Sequence, residues 1–234
     1  MSEASAATVV TIDGPAGSGK SSVAQRLAKR LGWQVLDTGA MYRASALLAL
    51  RRGIDPAEGE RVAEALEDAE IGFDWSSDPP RIMLDGEAVD EAIRTAETTE
   101  AAALVAGSPA VRAMLVDAQR RIAAGHPKLI SEGRDQGSVV FPDAVVRFFL
   151  DAPVEERAHR RALQLAAAGV AADESAIRSA IRERDELDRT RLVGPLVKPS
   201  GAIVVDTTSL SLEQVVDRLE AAVREELVAV GRGV

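Results

Sequence analysis

Residues 9–22 read V-V-T-I-D-G-P-A-G-S-G-K-S-S: a short apolar run stops at Asp13 and passes into Gly14-Pro15-Ala16-Gly17-Ser18-Gly19-Lys20-Ser21, with Ser22 following. This fits G-x-x-x-x-G-K-[ST] at every fixed position and commits the chain to a strand, a glycine-rich loop and a helix. Three glycines in six residues let the backbone curl with its N–H groups inward. A helix starting near Lys20 adds the positive end of its dipole at the same spot. Lys20 would bring a mobile charge to the β- and γ-phosphates of a bound nucleotide, and the Ser21 hydroxyl is suited to ligate Mg²⁺. The alternative is a strand-to-helix turn without a ligand. The clear strand before the loop and the amphipathic helix after it favour the phosphate-binding loop.

Helical spacing of Val23, Leu27 and Leu31 predicts a helix over 22–31, ended by Gly32. A second apolar run, 34–36, stops at Asp37-Thr38-Gly39, and 40–52 is helical again. Strand, helix, strand, helix implies parallel pairing, so the fold class is α/β. Between Asp55 and Arg112 the pattern changes: a helix over 57–69, alternating strands at 71–74 and 81–84, and a third short run at 88–89. This predicts a small antiparallel sheet inserted into the core, followed by helices over 98–106 and 109–124. The core resumes with strands at 128–131, 145–150 and 202–205. Charged, arginine-dense helices occupy 154–168 and 174–188, and an amphipathic helix over 212–228 closes the chain.

With 234 residues, 46% of them hydrophobic, the chain can build a substantial core, and with 3% aromatics that core must be aliphatic. Scarce aromatics and a net charge of −9 argue against a nucleic-acid partner, which needs stacking platforms or surplus cations. There is no cysteine, so disulfides and thiolate chemistry are excluded. The opening M-S-E-A-S-A-A-T has neither the basic nor the apolar stretch of a secretory signal, and no run approaches the length of a membrane span. A cytoplasmic monomer with a short loose N-terminus and no membrane partner is expected.

In open parallel sheets, ligands sit beyond the carboxyl ends of the strands. All five core strands end in acidic residues, Asp13, Asp37, Glu132, Asp151 and Asp206, so the neighbouring chemistry must rank them. Asp37-Thr38-Gly39-Ala40-Met41-Tyr42-Arg43 is either a second anion site at a helix N-terminus or a capped helix with a solvated arginine. In Glu132-Gly133-Arg134-Asp135-Gln136-Gly137 the arginine is either a ligand group or half of a buried Arg–Asp pair. Arg157, Arg160 and Arg161, with Arg182, Arg184, Arg189 and Arg191, either form solvated i, i+4 pairs with Glu155, Glu156, Glu183 and Glu186 or neutralise charge in phosphoryl transfer. His126 and His159 have no metal-ligand spacing.

Six segments together resemble the bacterial cytidylate kinases, of the nucleoside-monophosphate kinase group: I-D-G-P-A-G-S-G-K-S-S, L-D-T-G-A-M-Y-R, L-D-G-E-A-V-D-E-A-I-R-T, E-G-R-D-Q-G-S-V-V-F-P-D-A, E-R-D-E-L-D-R-T-R-L-V-G-P-L and V-V-D-T-T-S-L-S-L-E-Q-V. They span nearly the whole chain in the family's order, and the second and fourth are highly specific. The resemblance implies one domain with a P-loop core (8–54, 128–153 and 192–234), a monophosphate-binding insert (55–127) and a helical lid (154–191). It also implies ATP as donor with Mg²⁺, and CMP or dCMP as acceptor, in pyrimidine nucleotide metabolism. Gly14 to Ser22 would hold the donor, with Ser21 on the metal. Lys20, Arg184 and Arg191 would act on the transferring phosphates. Thr38, Arg43 and Arg134 would hold the acceptor's phosphate or neighbouring groups, Arg112 and Asp135 the cytosine, and Asp188 the ribose.

Three positions depart from the family's pattern. Ala103 stands where a serine is associated with the base, Gln136 where Ile or Met is usual, and Leu187 where Arg is frequent. The lack of any asparagine for an N-K-x-D guanine reader argues against a P-loop GTPase. A different small-molecule kinase on the same scaffold stays compatible with the loop and the arginines, and only Arg112, Asp135 and Asp188 speak for a cytidine nucleotide.

Overall fold

The computed structural model describes residues 7–231. Its strands are β1 (Thr8–Asp13), β2 (Gln34–Asp37), β3 (Ile71–Asp74), β4 (Arg81–Leu84), β5 (Glu87–Ala88), β6 (Lys128–Gly133), β7 (Val146–Asp151) and β8 (Ile203–Asp206). Its α-helices are α1 (Lys20–Leu31), α2 (Thr38–Arg51), α3 (Gly59–Glu67), α4 (Ala96–Val105), α5 (Pro109–Ala124), α6 (Val154–Ala167), α7 (Glu174–Thr190) and α8 (Leu212–Ala229). A 3₁₀ turn at Ala92–Arg94 and a π-helical turn at Gln136–Val140 complete the set. Of the N-terminus expected to be loose, residues 1–6 lie outside the described residues, while Thr8 already belongs to β1.

The larger sheet runs β2-β6-β1-β7-β8 and the smaller β3-β4-β5. The pairs β1/β6, β1/β7 and β7/β8 are parallel, β3/β4 and β4/β5 antiparallel, so the α/β class with a small inserted sheet is borne out. The chain packs as two compact units, Val35–Pro127 and Thr8–Gln34 with Lys128 onward, and the division falls inside β2. The first unit thus starts before Asp55, where the sequence places the insert. The reason is that α2 packs against α3, α4, α5, β3 and β4.

In the second unit β1 is buried along its whole length, as a central parallel strand must be. Val10 and Ile12 lie among Leu129, Ile130, Phe148 and Leu150, with no exposed surface on any of them. Val23 and Leu27 of α1 and Val216, Leu219 and Val223 of α8 complete this core, aliphatic but for Phe148. Each such side chain contributes about 1.5–3 kcal/mol of burial. Arg30 staples α1 to α8 through Glu213, Asp217 and Glu220. At the sheet edge β8 leaves Ile203 and Val204 partly exposed.

In the first unit Asp37 caps α2 by accepting from the Ala40 N–H at 2.8 Å, and Ser108 caps α5 ahead of Pro109. Ile82 and Leu84 of the small sheet are buried, paired in register with Phe73 and Ile71.

The tightest steric constraint on the phosphate loop lies at its first residue. Gly14 has φ 153°, and a Cβ there would collide with the carbonyl oxygen of Leu150 at the end of β7. Gly14→Ala is expected to destabilise the protein by about 2 kcal/mol, lowering Tm by about 4–8 °C for a chain of this length. Thermal unfolding checks this; an unchanged Tm would show that loop and strand do not approach so closely.

Candidate active site

In the second unit α1 begins at Lys20, behind Gly19 in the left-handed region at φ 91°, with no side-chain hydrogen bond capping it. Its first-turn N–H groups are therefore left for an anion. The Lys20 ammonium, 5% exposed, donates to the Pro15 carbonyl at 2.9 Å. Burial, and after it the Arg134 guanidinium, push Lys20 down to about 7. The Ser18 hydroxyl in the loop is buried without a hydrogen-bond partner. The Ser21 hydroxyl donates to Glu132 Oε1 at 2.6 Å, bringing a hydroxyl and a carboxylate oxygen together at the loop.

At the end of β1 the Asp13 carboxylate accepts from the N–H groups of Gln136 (2.8 Å) and Gly137 (2.7 Å). Burial pushes Asp13 up to about 6, against those two bonds, which lower it. The π-helical turn can pack this closely because Gly137 has no side chain: a Cβ there would lie 2.8 Å from Thr11 Oγ1. The chain leaving β6 is thereby fixed to the strand that carries the phosphate loop, with Arg134 and Asp135 at the junction.

The C-terminal half of α7 supplies the counter-charge. Asp188 accepts from Arg134 Nε at 2.8 Å and lies 3.4 Å from Arg184 and 3.6 Å from Arg191, which is 3.7 Å from Asp135. Burial alone would raise the Asp188 carboxyl; Arg134, then Arg184 and Arg191, outweigh it and hold it below the usual carboxylate range. One turn earlier on α7, Asp185 holds Arg157 at 2.6 Å, both side chains buried.

In the first unit Arg43 pairs with the capping carboxylate of Asp37 at 3.2 Å, and Thr38 is buried beside it in the chain. Arg112, almost wholly buried on α5, lies over the Tyr42 ring at 5.5 Å and donates to the Ala106 carbonyl at 3.4 Å.

The structure thus brings the loop, Lys20, Arg134, Asp135, Asp188, Arg184 and Arg191 together in one unit, and Thr38, Arg43 and Arg112 belong to the other. Arg43 pairs with Asp37, the residue that caps α2, and Arg134 pairs with Asp188 rather than Asp135. Arg160 forms the expected i, i+4 pair with Glu156, whereas Arg182 pairs on the surface with Glu155 of the preceding helix, 27 positions away. Arg157 makes no such surface pair. Sequence reasoning passed over the Ser21–Glu132 bond and the Arg157–Asp185 pair. The available signal for Arg157 was its place in the first turn of the helix that leaves β7, the strand paired with β1.

A carboxylate depressed in the folded state stabilises it above the unfolded value near 3.8, and that contribution disappears as pH falls below it. Removing it strands buried cations. Asp188→Asn should therefore lower stability by about 3–5 kcal/mol near neutral pH, read from denaturant midpoints, with the gap to the parent narrowing below about pH 4. A gap independent of pH would overturn the ionic account.

Comparison with known proteins places these residues in a family. The cytidylate kinase family model matches residues 10–225. A cytidylate kinase of Mycobacterium avium is 48% identical over 94% of this chain and 97% of its own length. One from Escherichia coli is 43% identical over 94% of this chain and 97% of its own length. Among solved structures, an uncharacterized protein from Eubacterium ventriosum shares the fold, with TM-score 0.50 at 10% identity over 92% of this chain and 98% of its own. The extent and level of these matches establish that the chain belongs to the cytidylate kinase family.

Proposed function

We propose that the protein transfers the γ-phosphoryl group of ATP to CMP or dCMP, giving ADP and CDP or dCDP, and that it does so in the cytoplasm as a monomer. The observation that carries the reading is the buried Lys20 beside a ring of arginines held on Asp188, a cationic arrangement suited to a polyanion in a site with little water. The names of the relatives support the cytidine nucleotide, and the net charge of −9 supports a free nucleotide over a nucleic-acid backbone.

Residues 14–22 would wrap the donor's phosphates, the unpartnered Ser18 hydroxyl and the uncapped amides of α1 providing donors. Among the described residues no group of three or more His, Cys, Asp or Glu side chains could hold a metal. Ser21 and Glu132 nevertheless offer two hard oxygens 2.6 Å apart, which fit Mg²⁺ when phosphate oxygens and water supply its remaining ligands. The metal supplies neutralisation of charge on the β- and γ-phosphates. Lys20, Arg184 and Arg191 would neutralise what remains, Arg134, Arg43 and Thr38 would hold the acceptor's phosphate, and Asp188 the ribose. Arg112 and Asp135 would read the base: a carboxylate accepts from the exocyclic amine of cytosine but is repelled by the carbonyl of uracil. In this reading 55–127 serves as acceptor insert and 154–191 as lid.

Screening acceptors with ATP and Mg²⁺ tests the proposal. CMP and dCMP should be turned over well ahead of UMP, AMP and shikimate, and Asp135→Ala should collapse the preference for CMP over UMP. Faster turnover of shikimate, AMP or UMP than of CMP would sink the assignment. Lys20→Ala should reduce turnover by about 10³ while weakening nucleotide binding modestly.

Lys20 gives the same loop a pH signature. In the free protein it titrates near 7, and bound phosphates favour its charged form, so donor binding takes up a proton above that pH. Affinity for ATP should weaken as pH rises above 7, approaching about tenfold per unit, and the slope should vanish in Lys20→Ala. Calorimetric titration across pH 6.5–9 measures both, about two units spanning the transition.

A further inference from the structure

One contact of the phosphate loop is used by neither its motif nor the reading above. Arg157, in the first turn of α6 and 4% exposed in its side chain, divides its guanidinium among three partners. Nε donates to the Ala152 carbonyl just beyond β7 at 2.9 Å, Nη1 to the Ala16 carbonyl in the phosphate loop at 2.9 Å, and Nη2 to Asp185 Oδ2 on α7 at 2.6 Å. The loop also packs on the side chain, since a Cβ on Gly17 would lie 3.3 Å from that of Arg157.

A loop that turns its N–H groups toward phosphates must turn carbonyls away from them, and a carbonyl partly withdrawn from water, as that of Ala16 is, gains from a donor. Arg157 is that donor for Ala16. A planar fork holds two carbonyls and a carboxylate at fixed spacing, which an ammonium on a flexible stem cannot do. Asp185 lies three residues before Asp188, so one turn of α7 carries both the carboxylate that locks Arg157 onto the loop and the one that gathers Arg134, Arg184 and Arg191. We propose that Arg157 is a positioning residue for the donor phosphates, held in place by Asp185, and that this pair fixes the arginines of α7 in register with the phosphate loop. The proposal rests on the kinase reading above. Misplacing phosphate-binding groups by about 1 Å is enough to cost about a hundredfold in rate.

The test compares Arg157→Lys, Asp185→Asn and the double variant by thermal unfolding and by steady-state kinetics with ATP and CMP varied in turn. Arg157→Lys should lower kcat about 10- to 100-fold and raise KM for ATP several-fold, about three to ten, while KM for CMP moves less than about twofold. Asp185→Asn keeps the shape and loses the charge, so it should show the same split at smaller size. The double variant should be no worse than Arg157→Lys, because Asp185 acts through Arg157. Folded variants with the parent's kcat and donor KM would overturn the proposal. So would losses that multiply in the double variant, or that follow Tm with no shift between the two KM values. If Arg157→Lys does not fold, the split in Asp185→Asn decides. Calorimetric binding of a non-hydrolysable ATP analogue separates the two readings: if the parent fails to phosphorylate CMP the acceptor assignment is wrong, yet weaker analogue binding in the variants would still uphold the pair.

Discussion

Cations gathered to hold a polyanion repel one another, and the repulsion grows where burial removes screening water. The second unit meets this constraint by sinking carboxylates among them. Lys20, Arg134, Arg157 and Arg191 are matched by Glu132, Asp135, Asp185 and Asp188, all four of these acids buried. The lowered Lys20 value records how far the compensation goes: Glu132 and Asp188 raise it, but burial and Arg134 win. Half of these acids, Asp185 and Asp188, come from a single turn of α7. That helix could not be replaced by an apolar one of equal volume without expelling the arginines from the site.

Backbone geometry carries the other half of the arrangement. Asp13 ends β1, the next residue opens the phosphate loop, and its carboxylate holds two N–H groups of the π-helical turn that follows β6. A single side chain thus sets the glycine-rich loop and the Arg134–Asp135 segment in register across neighbouring strands. π-turns concentrate at functional sites because the extra residue re-aims the chain. Here Gly137 makes room for it against Thr11.

The fold was legible in the sequence because its core strands carry short apolar runs, the central β1 being buried along its whole length, while its helices repeat at 3.6 residues. The loop was legible because it is local. What could not be read was the pairing of charges. Residues 154–191 carry so many charged side chains that solvated pairing was a fair description of Arg160 and Arg182, and nothing in hydropathy distinguishes Arg157 from them. Its partner is 28 positions away, and only the packing of α6 against α7 brings the two together. The π-turn was hidden for a different reason: G-S-V-V-F has the composition of a strand, and the bonds from Asp13 that bend it are 123 and 124 positions distant.

Two of the departures from the family's pattern, Leu187 and Gln136, differ in burial, and burial decides what each one does. Leu187 lies on α7 between Asp185 and Asp188 in sequence but is half exposed, so the charge that an arginine would add there stays outside the buried balance. Gln136 is wholly buried, and its Oε1 accepts from Ser131 Oγ at 2.8 Å, so the polar substitution is answered by a polar neighbour. The answer is partial. Gln136 Nε2 and the nearby Thr11 Oγ1 are both buried without partners, and an unmade buried hydrogen bond costs about 1–3 kcal/mol. Gln136 is also the residue whose backbone N–H Asp13 holds, so a side chain that is only half satisfied sits at the bend that presents Arg134 and Asp135. At this position the sequence trades local stability for a polar contact beneath the site.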